Sequence, residues 1–301
     1  NLGYAVIDEQ HRFGVKQRSK IWEKNNPPPH VLIMTATPIP RTLTMSLYGD
    51  LDLSIIDELP PGRKDVITVH RKDKNRLKVF GFIRDQIKQG RQVYIVYPLI
   101  EESKKMDLKY LEDGLESITR EFDKENYSIG VMHGRMRSSN KDIEMNNFLN
   151  GKIDILISTT VIEVGVNVPN ASVMIIENAE RFGLSQLHQL RGRVGRGKYD
   201  SYCVLMTNDK ISEDAKIRID AMVNSNDGFK ISEVDLRLRG PGDVLGTKQS
   251  GVLDFKIADI IEDESILFSV SNEADLLIKK DPKLNLNENY NIRSFILNNP
   301  I

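Results

Sequence analysis

Two short stretches of the chain carry side chains whose types and spacing suit chemistry on a charged ligand. The first, Gln189 to Lys198, reads QLRGRVGRGK and holds Arg191, Arg193, Arg196 and Lys198 within eight residues, with no acid among them. Guanidinium groups take phosphate or carboxylate oxygens in a planar, forked geometry. Residues three apart share a helix face, so a helix here brings Arg193 and Arg196 onto one anionic target. Gly192, Gly195 and Gly197 interleave the cations. Glycine is costly inside a helix and is tolerated where a backbone comes close to something, which favours a ligand-facing segment over a merely solvated basic helix end. The second stretch is Asp8-Glu9-Gln10-His11, directly after the apolar run Tyr4-Ala5-Val6-Ile7. Carboxylates at the carboxyl end of a buried parallel strand suit a magnesium–nucleotide site: one holds the metal through water, and the next orients or deprotonates an attacking water. Alone, an Asp-Glu pair after a strand equally describes a helix cap or a loop.

The elements that must position these groups alternate regularly. Strands are predicted at 4–7, at Val31–Met34 leading into Thr35-Ala36-Thr37-Pro38-Ile39-Pro40, and at Val66–His70, Gln92–Tyr97 and Ile129–Met132. Asp154–Ile157 follows, running into Ser158-Thr159-Thr160, and then Val173–Ile176. Helices are predicted over Thr42–Tyr48, over Asn75–Lys88 with Gly90 beyond its end, and after Ser138 or Ser139 as a cap, with Met145, Phe148 and Leu149 on one face and Gly151 past the end. A helix is also expected to carry Gln189, Arg191, Arg193 and Arg196. Alternation of this length implies a parallel sheet. Leu59-Pro60-Pro61-Gly62-Arg63 reads as a linker and a domain boundary, and 101–127 as a charged, largely helical surface excursion. Past Met206, Ser212–Asn224 and Ile231–Leu238 read as two helices joined by the turn formers Asn226-Asp227-Gly228-Phe229. A glycine-rich loop from Arg239 to Gly251 comes next. Ile260, Ile261, Leu267, Phe268, Leu276 and Leu277 then mark amphipathic helices, before an Asn- and Lys-rich tail expected to be poorly ordered.

Composition sets the outer limits. The 301 residues allow about two domains. A net charge of −1 leaves any nucleic-acid binding to local patches. The single cysteine, Cys203, lies in an apolar strand-like run, which excludes an intrachain disulfide and a cysteine-built zinc site. The five histidines show no metal spacing. No apolar run reaches membrane-span length and no signal peptide is evident, so a cytoplasmic location without a membrane partner is expected. The chain opens inside a strand-like run without methionine and reads as part of a longer protein. Gly192 to Lys198 has the spacing of a phosphate loop, but Tyr199 stands where Ser or Thr ligates magnesium, and the segment follows a helix. No other stretch offers such a loop, and the chain by itself is therefore expected to hydrolyse no ATP.

Gln189 to Arg196 resembles motif VI of the superfamily 2 helicases, and Ser158-Thr159-Thr160 through Gly165 and Pro169 resembles motif V. Asp8-Glu9-Gln10-His11 followed by Arg12-Phe13-Gly14-Val15 resembles motif II, and Thr35 to Pro40 motif III. Together with Glu177 to Leu184 (ENAERFGL), the wording is similar to the RecG family of bacterial DNA helicases. The resemblance implies an α/β, RecA-like parallel-sheet motor of the P-loop NTPase type with a carboxyl-terminal helical hairpin and loop. It implies the end of a first motor domain at 1–62, a second at 63–207, and the translocation hairpin, loop and terminal helices at 208–301. ATP and magnesium are the implied cofactors, and the implied activity is ATP-driven translocation on branched double-stranded DNA in repair and recombination. Asp8 is implied as magnesium ligand, Glu9 as positioner of water, Arg193 and Arg196 as stabilisers of γ-phosphate charge with Gln189 nearby, and Gln10, His11, Gly165 and Asn167 as nucleotide contacts. Many relatives carry aspartate where this chain has Asn167. Thr35, Thr37, His133, Thr159, Arg218, Arg239 and Gln249 are implied in DNA grip or translocation. Implied partners are an amino-terminal wedge and first motor domain of the same chain and single-stranded-DNA-binding protein, with the protein a monomer. The motor of the transcription-repair coupling factor, and a non-catalytic DNA-binding module, remain open as alternatives.

Overall fold

Branched and aromatic side chains predominate in the runs 92–97, 155–159 and 171–176, and every residue of them is buried. Strands buried on both faces belong in a parallel sheet covered by helices on each side. The computed structural model describes residues 2–9, 26, 28–36, 52, 54–56, 58, 60, 63–98, 114–122, 126–159, 167–239 and 263–298. They fall into two units, residues 1–38 with 55–238, and residues 39–54 with 239–301.

In the first unit, β1 (Tyr4–Asp8) and β2 (His30–Met34) pair in parallel, Asp8 opposite Met34. The larger sheet has six parallel strands: β3 (Val66–Lys72), β4 (Gln92–Tyr97), β5 (Ile129–Met132), β6 (Ile155–Thr159), β7 (Ala171–Ile176) and β8 (Ser201–Thr207). Their spatial order is β3-β8-β7-β4-β6-β5. The two-residue period of a strand divides β4 between two cores. Val93, Ile95 and Tyr97 join Val79, Phe80 and Ile83 of helix α1 (Arg76–Lys88), together with Ile118 and Phe122. Tyr94 and Val96 join the opposite core, which holds Phe148 of α2 (Ser138–Leu149), Leu184, Leu187 and Leu190 of α3 (Leu184–Arg191), Ile219 and Met222 of α4 (Glu213–Asn224), and Ile231 of α5 (Gly228–Arg239). Each fully buried Leu or Ile contributes about 1.5–3 kcal/mol, so the two faces fix the sheet between its helices. Cys203 is a core residue of β8, and burial pushes its thiol up to about 12.

Local chemistry moved several expected boundaries. Helix α3 stops at Arg191 with Gly192 as its cap, so Arg193 and Arg196 stand in the loop beyond it rather than on a helix face. Gly195, at φ +79°, holds a left-handed conformation that ends any helical continuation. The cap of α2 is Arg137 and no side chain caps it, because Ser138 already lies inside the helix. Only Phe148 of its expected apolar face is fully buried, and Leu149 is 42% exposed. Ser212 does cap α4, accepting from Ala215 N. Helix α5 begins at Gly228, earlier than the apolar pattern suggested, after Asp227 Oδ1 accepts the Phe229 amide. The predicted helix 42–48 and residues 240–262 lie outside the described residues.

The second unit contains α6 (Glu264–Lys280) and α7 (Tyr290–Asn298). The tail expected to be poorly ordered is instead folded to residue 298. Asp281 accepts the Asn285 and Leu286 amides and the Asn289 side chain, closing the turn between the helices. Those bonds hold its carboxyl below the usual range.

Candidate functional site

All six strands point the same way, so the sheet has an amino edge and a carboxyl edge, about 20 Å apart for strands of this length. The described candidate residues of this sheet divide between these two edges, and Asp8, Glu9 and Thr35 belong to the small sheet.

The amino edge holds the arginine loop that follows α3. Arg196 Nε donates to the Gly192 carbonyl at 3.0 Å, and Arg63 Nη2 donates to the same carbonyl at 3.4 Å. A shared acceptor brings the two guanidiniums into Coulombic range. Two like charges about 6 Å apart at a partly wet surface repel by roughly 1–3 kcal/mol. Burial first, then Arg193, then Arg63, lowers the pKa of Arg196. Tyr94, buried beneath, is pushed up to about 12 by desolvation while Arg193 and Arg196 pull against that shift. Two neighbouring segments fix the loop's backbone. A Cβ on Gly197 would fall 2.2 Å from the Pro169 carbonyl oxygen, and one on Gly195 would fall 2.9 Å from Val66 Cγ2. The structure therefore lays the segment of exposed Asn167 and the start of β3 against the arginine loop.

Arg191 departs from its neighbours. It is 3% exposed and donates from Nη1 to the carbonyls of Met222 (2.9 Å) and Ser225 (2.7 Å), at the end of α4. Its Nη2 meets His188 Nδ1 at 3.2 Å. Burial lowers its pKa, and the fixed carbonyl dipoles are what keep the charge tolerable there. Of the four cations counted in the sequence, this one holds α3 to α4. Midway along α4, Arg218 Nη2 donates to the Glu180 carbonyl at 2.9 Å, just after β7. Ser185 of α3 donates to Asp235 of α5 at 3.3 Å. Helix α4 is thus tied at its middle and at its carboxyl end to the segment that leads into the arginine loop.

His188 supplies a pH test. Burial first, then the Arg191 and Arg63 cations, push its pKa from 6.5 down to about 4, against a small opposing pull from Asp227. A ring held neutral in the fold contributes its full stability above about pH 6.5 and loses it as pH falls toward about 4, because the unfolded chain takes up the proton first. His188→Gln should shrink the drop in melting temperature between about pH 7.5 and about pH 5. An unchanged drop would assign the acid sensitivity to other groups.

The carboxyl edge holds His133, Thr159, Glu177 and Arg218. Thr159 Oγ1, His133 Nδ1 and Arg218 Nε are buried atoms with no hydrogen-bond partner among the described residues. Burial first, then Arg135 and Lys141, lowers the pKa of His133, and Lys141 Nζ donates to the Gly134 carbonyl at 3.1 Å. Glu177 and Arg76 form a bidentate pair at 2.7 and 2.8 Å, with the Glu177 side chain 4% exposed. Burial opposes the charge on Arg76, but the Glu177 bonds outweigh it and raise its pKa. The pair fastens the start of α1 to the end of β7. Sequence reading gave neither residue a role; Glu177 was visible only as one word in a longer resemblance, and nothing pointed to Arg76.

In the small sheet, Asp8 ends β1, and Glu9 follows at φ +50°. A glutamate held in the left-handed region is uncommon and is strained relative to the ordinary helical and extended conformations. Thr35 Oγ1, just past β2, donates to Glu9 Oε2 at 3.4 Å. Of the two expected acids, Glu9 therefore meets the first expected hydroxyl. One or two carboxylates with bridging waters are the donor set magnesium takes beside phosphates, so these residues fit that ion. Gln10, His11, Thr37, Gly165 and Gln249 lie outside the described residues; Arg239 ends α5, and Gln189 sits half-buried on α3. Among the described residues no cluster of three His, Cys, Asp or Glu could hold a metal, and no helix is long and apolar enough to cross a membrane.

Residues 74–198 match a family model described as the helicase conserved C-terminal domain, and residues 225–296 one described as ATP-dependent DNA helicase RecG, domain 3, C-terminal. The ATP-dependent DNA helicase RecG of Synechocystis is 53% identical over 292 residues, covering 97% of this chain and 35% of that protein. That of Bacillus subtilis is 49% identical over 280 residues, covering 93% and 41%. A structure of RecG bound to a three-way DNA junction superposes with a TM-score of 0.66 at 46% identity, over 89% of this chain and 34% of that one. The chain thus spans 35% to 41% of the length of these two curated relatives.

Proposed function

Because this chain belongs to the RecG helicase family, we propose that it supplies the arginine-bearing half of an ATP-driven motor that remodels branched double-stranded DNA. The observation that carries this reading is the arginine loop: guanidiniums gathered at the amino edge, on a backbone wedged against Pro169 and β3 and tied to α4 through Arg191. A cluster of like charges gains most from an anion, and a nucleotide triphosphate is the anion an ATP-dependent motor presents.

On this reading residues 1–62 close a first motor domain, 63–207 form the second, and 208–301 carry the translocation element. Arg193 and Arg196 stabilise charge on the transferring phosphoryl group, with Gln189 and Asn167 beside them and Gly165, Gln10 and His11 completing the nucleotide contacts. Asp8 would hold magnesium, which when bound neutralises phosphate charge, and Glu9 orients the attacking water. His133, Thr159, Thr35 and Thr37 face the DNA. Support for this comes from the buried Thr159 Oγ1 and His133 Nδ1 at the carboxyl edge, which have no hydrogen-bond partner among the described residues, with Arg135 and Lys141 near His133. Arg218, Arg239 and Gln249 belong to the element that turns domain movement into translocation, and the double anchoring of α4 supports that coupling. The protein acts in the cytoplasm as a monomer, on junction DNA, with single-stranded-DNA-binding protein as a further partner.

The full-length protein should separate a fluorescently labelled three-way junction in the presence of ATP and magnesium and fail with a non-hydrolysable analogue. ATP-independent separation, or ATP turnover indifferent to junction DNA, would sink the proposal.

A further inference from the structure

Among the described residues, Arg63 is the member of the arginine cluster that comes from outside the α3 loop. It stands at the end of the Pro60–Arg63 turn, where its amide donates to the Pro60 carbonyl at 3.1 Å. The segment it opens lies directly on the loop, with Lys64 O and Val66 both against Gly195. Its side chain reaches the Gly192 carbonyl that Arg196 also uses. A single carbonyl needs no second cationic donor brought in against Coulombic repulsion, whereas a polyphosphate offers several anionic oxygens in a row. We propose that Arg63 is a third phosphate-binding cation of this site, reaching a non-bridging oxygen of the nucleotide's polyphosphate beside Arg193 and Arg196. The inference rests on the nucleotide reading of the arginine loop. It also gives the proline-rich linker a task beyond connection, since the turn then sets the position of a nucleotide contact. The lowered pKa of Arg196, to which Arg63 contributes, accords with a cluster completed by an anion.

The alternative is that Arg63 only caps the end of α3. Arg63→Gln separates the two, since glutamine keeps a donor for the Gly192 carbonyl and loses the charge. The measurement is steady-state ATP hydrolysis by the full-length protein at saturating three-way-junction DNA, with thermal melting alongside. Arg63→Gln should raise KM for ATP about tenfold, as loss of one charge-assisted contact does, with a much smaller change in kcat. Arg63→Lys should recover most of that loss. A wild-type KM in Arg63→Gln overturns the proposal, and so does a fall in melting temperature of several degrees shared by the Gln and Lys variants, which marks a structural role. Arg193→Ala runs as the control. If it keeps the wild-type kcat, the nucleotide reading itself fails; if it is impaired while Arg63→Gln is not, only the assignment of Arg63 fails.

Discussion

Arg193→Ala or Arg196→Ala in the full-length protein should lower kcat for ATP hydrolysis by roughly 10³-fold or more, the range of a transition-state arginine. Ground-state affinities for ATP and forked DNA should move far less, because a guanidinium placed for developing charge contributes little before the charge appears. The backbone supports this placement: Gly195 takes a positive φ, Gly197 leaves no room for a Cβ beside Pro169, and Arg196 rests on the Gly192 carbonyl. Lysine should rescue poorly, since an ammonium lacks the planar fork. A variant that keeps kcat at saturating DNA but loses DNA affinity would convert the loop into a phosphate-backbone contact.

Arg191→Met should destabilise the protein by roughly 3 kcal/mol, because the Met222 and Ser225 carbonyls lose a buried charged donor. The melting temperature should fall by several degrees. Below that temperature, the ratio of ATP consumed to junctions separated should rise several-fold, since Arg191 is where α3 grips α4. A variant whose two rates fall by one factor, with the ratio fixed, would make Arg191 a stability residue only. His188, hydrogen-bonded to the same guanidinium, links this joint to the acid sensitivity described above.

Much of this was legible beforehand, for physical reasons that differ by element. The strands expected at 92–97, 154–157 and 173–176 were readable because burial on both faces demands short apolar runs, and the structure places the last two at 155–159 and 171–176. Arg193 and Arg196 were singled out by glycines that nothing but close approach requires, and two of the three proved to be such positions. The helix expected beneath them was not there. A basic, glycine-punctuated run does not by itself reveal that α3 stops at Arg191 with Gly192 as its cap, or that Gly195 beyond it turns left-handed. Arg191 looked equivalent to its neighbours because sequence spacing does not show which cation meets the end of a distant helix. Arg76 and Glu177, about a hundred residues apart, carry no local signature at all, and their pairing follows from β7 and α1 meeting at the carboxyl edge. Asp281 organises the final turn through backbone amides, a use of carboxylate that composition counts as mere polarity.

The most direct test of the arginine loop's role compares two ligands of the full-length protein with magnesium and junction DNA: a non-hydrolysable ATP analogue, and ADP with aluminium fluoride as mimic of the transferring phosphoryl group. The account predicts that Arg193→Ala binds the analogue within a few-fold of wild type while its affinity for the mimic falls by roughly 10³-fold, matching the loss in kcat. Equal weakening toward both ligands, or none toward the mimic, would contradict it.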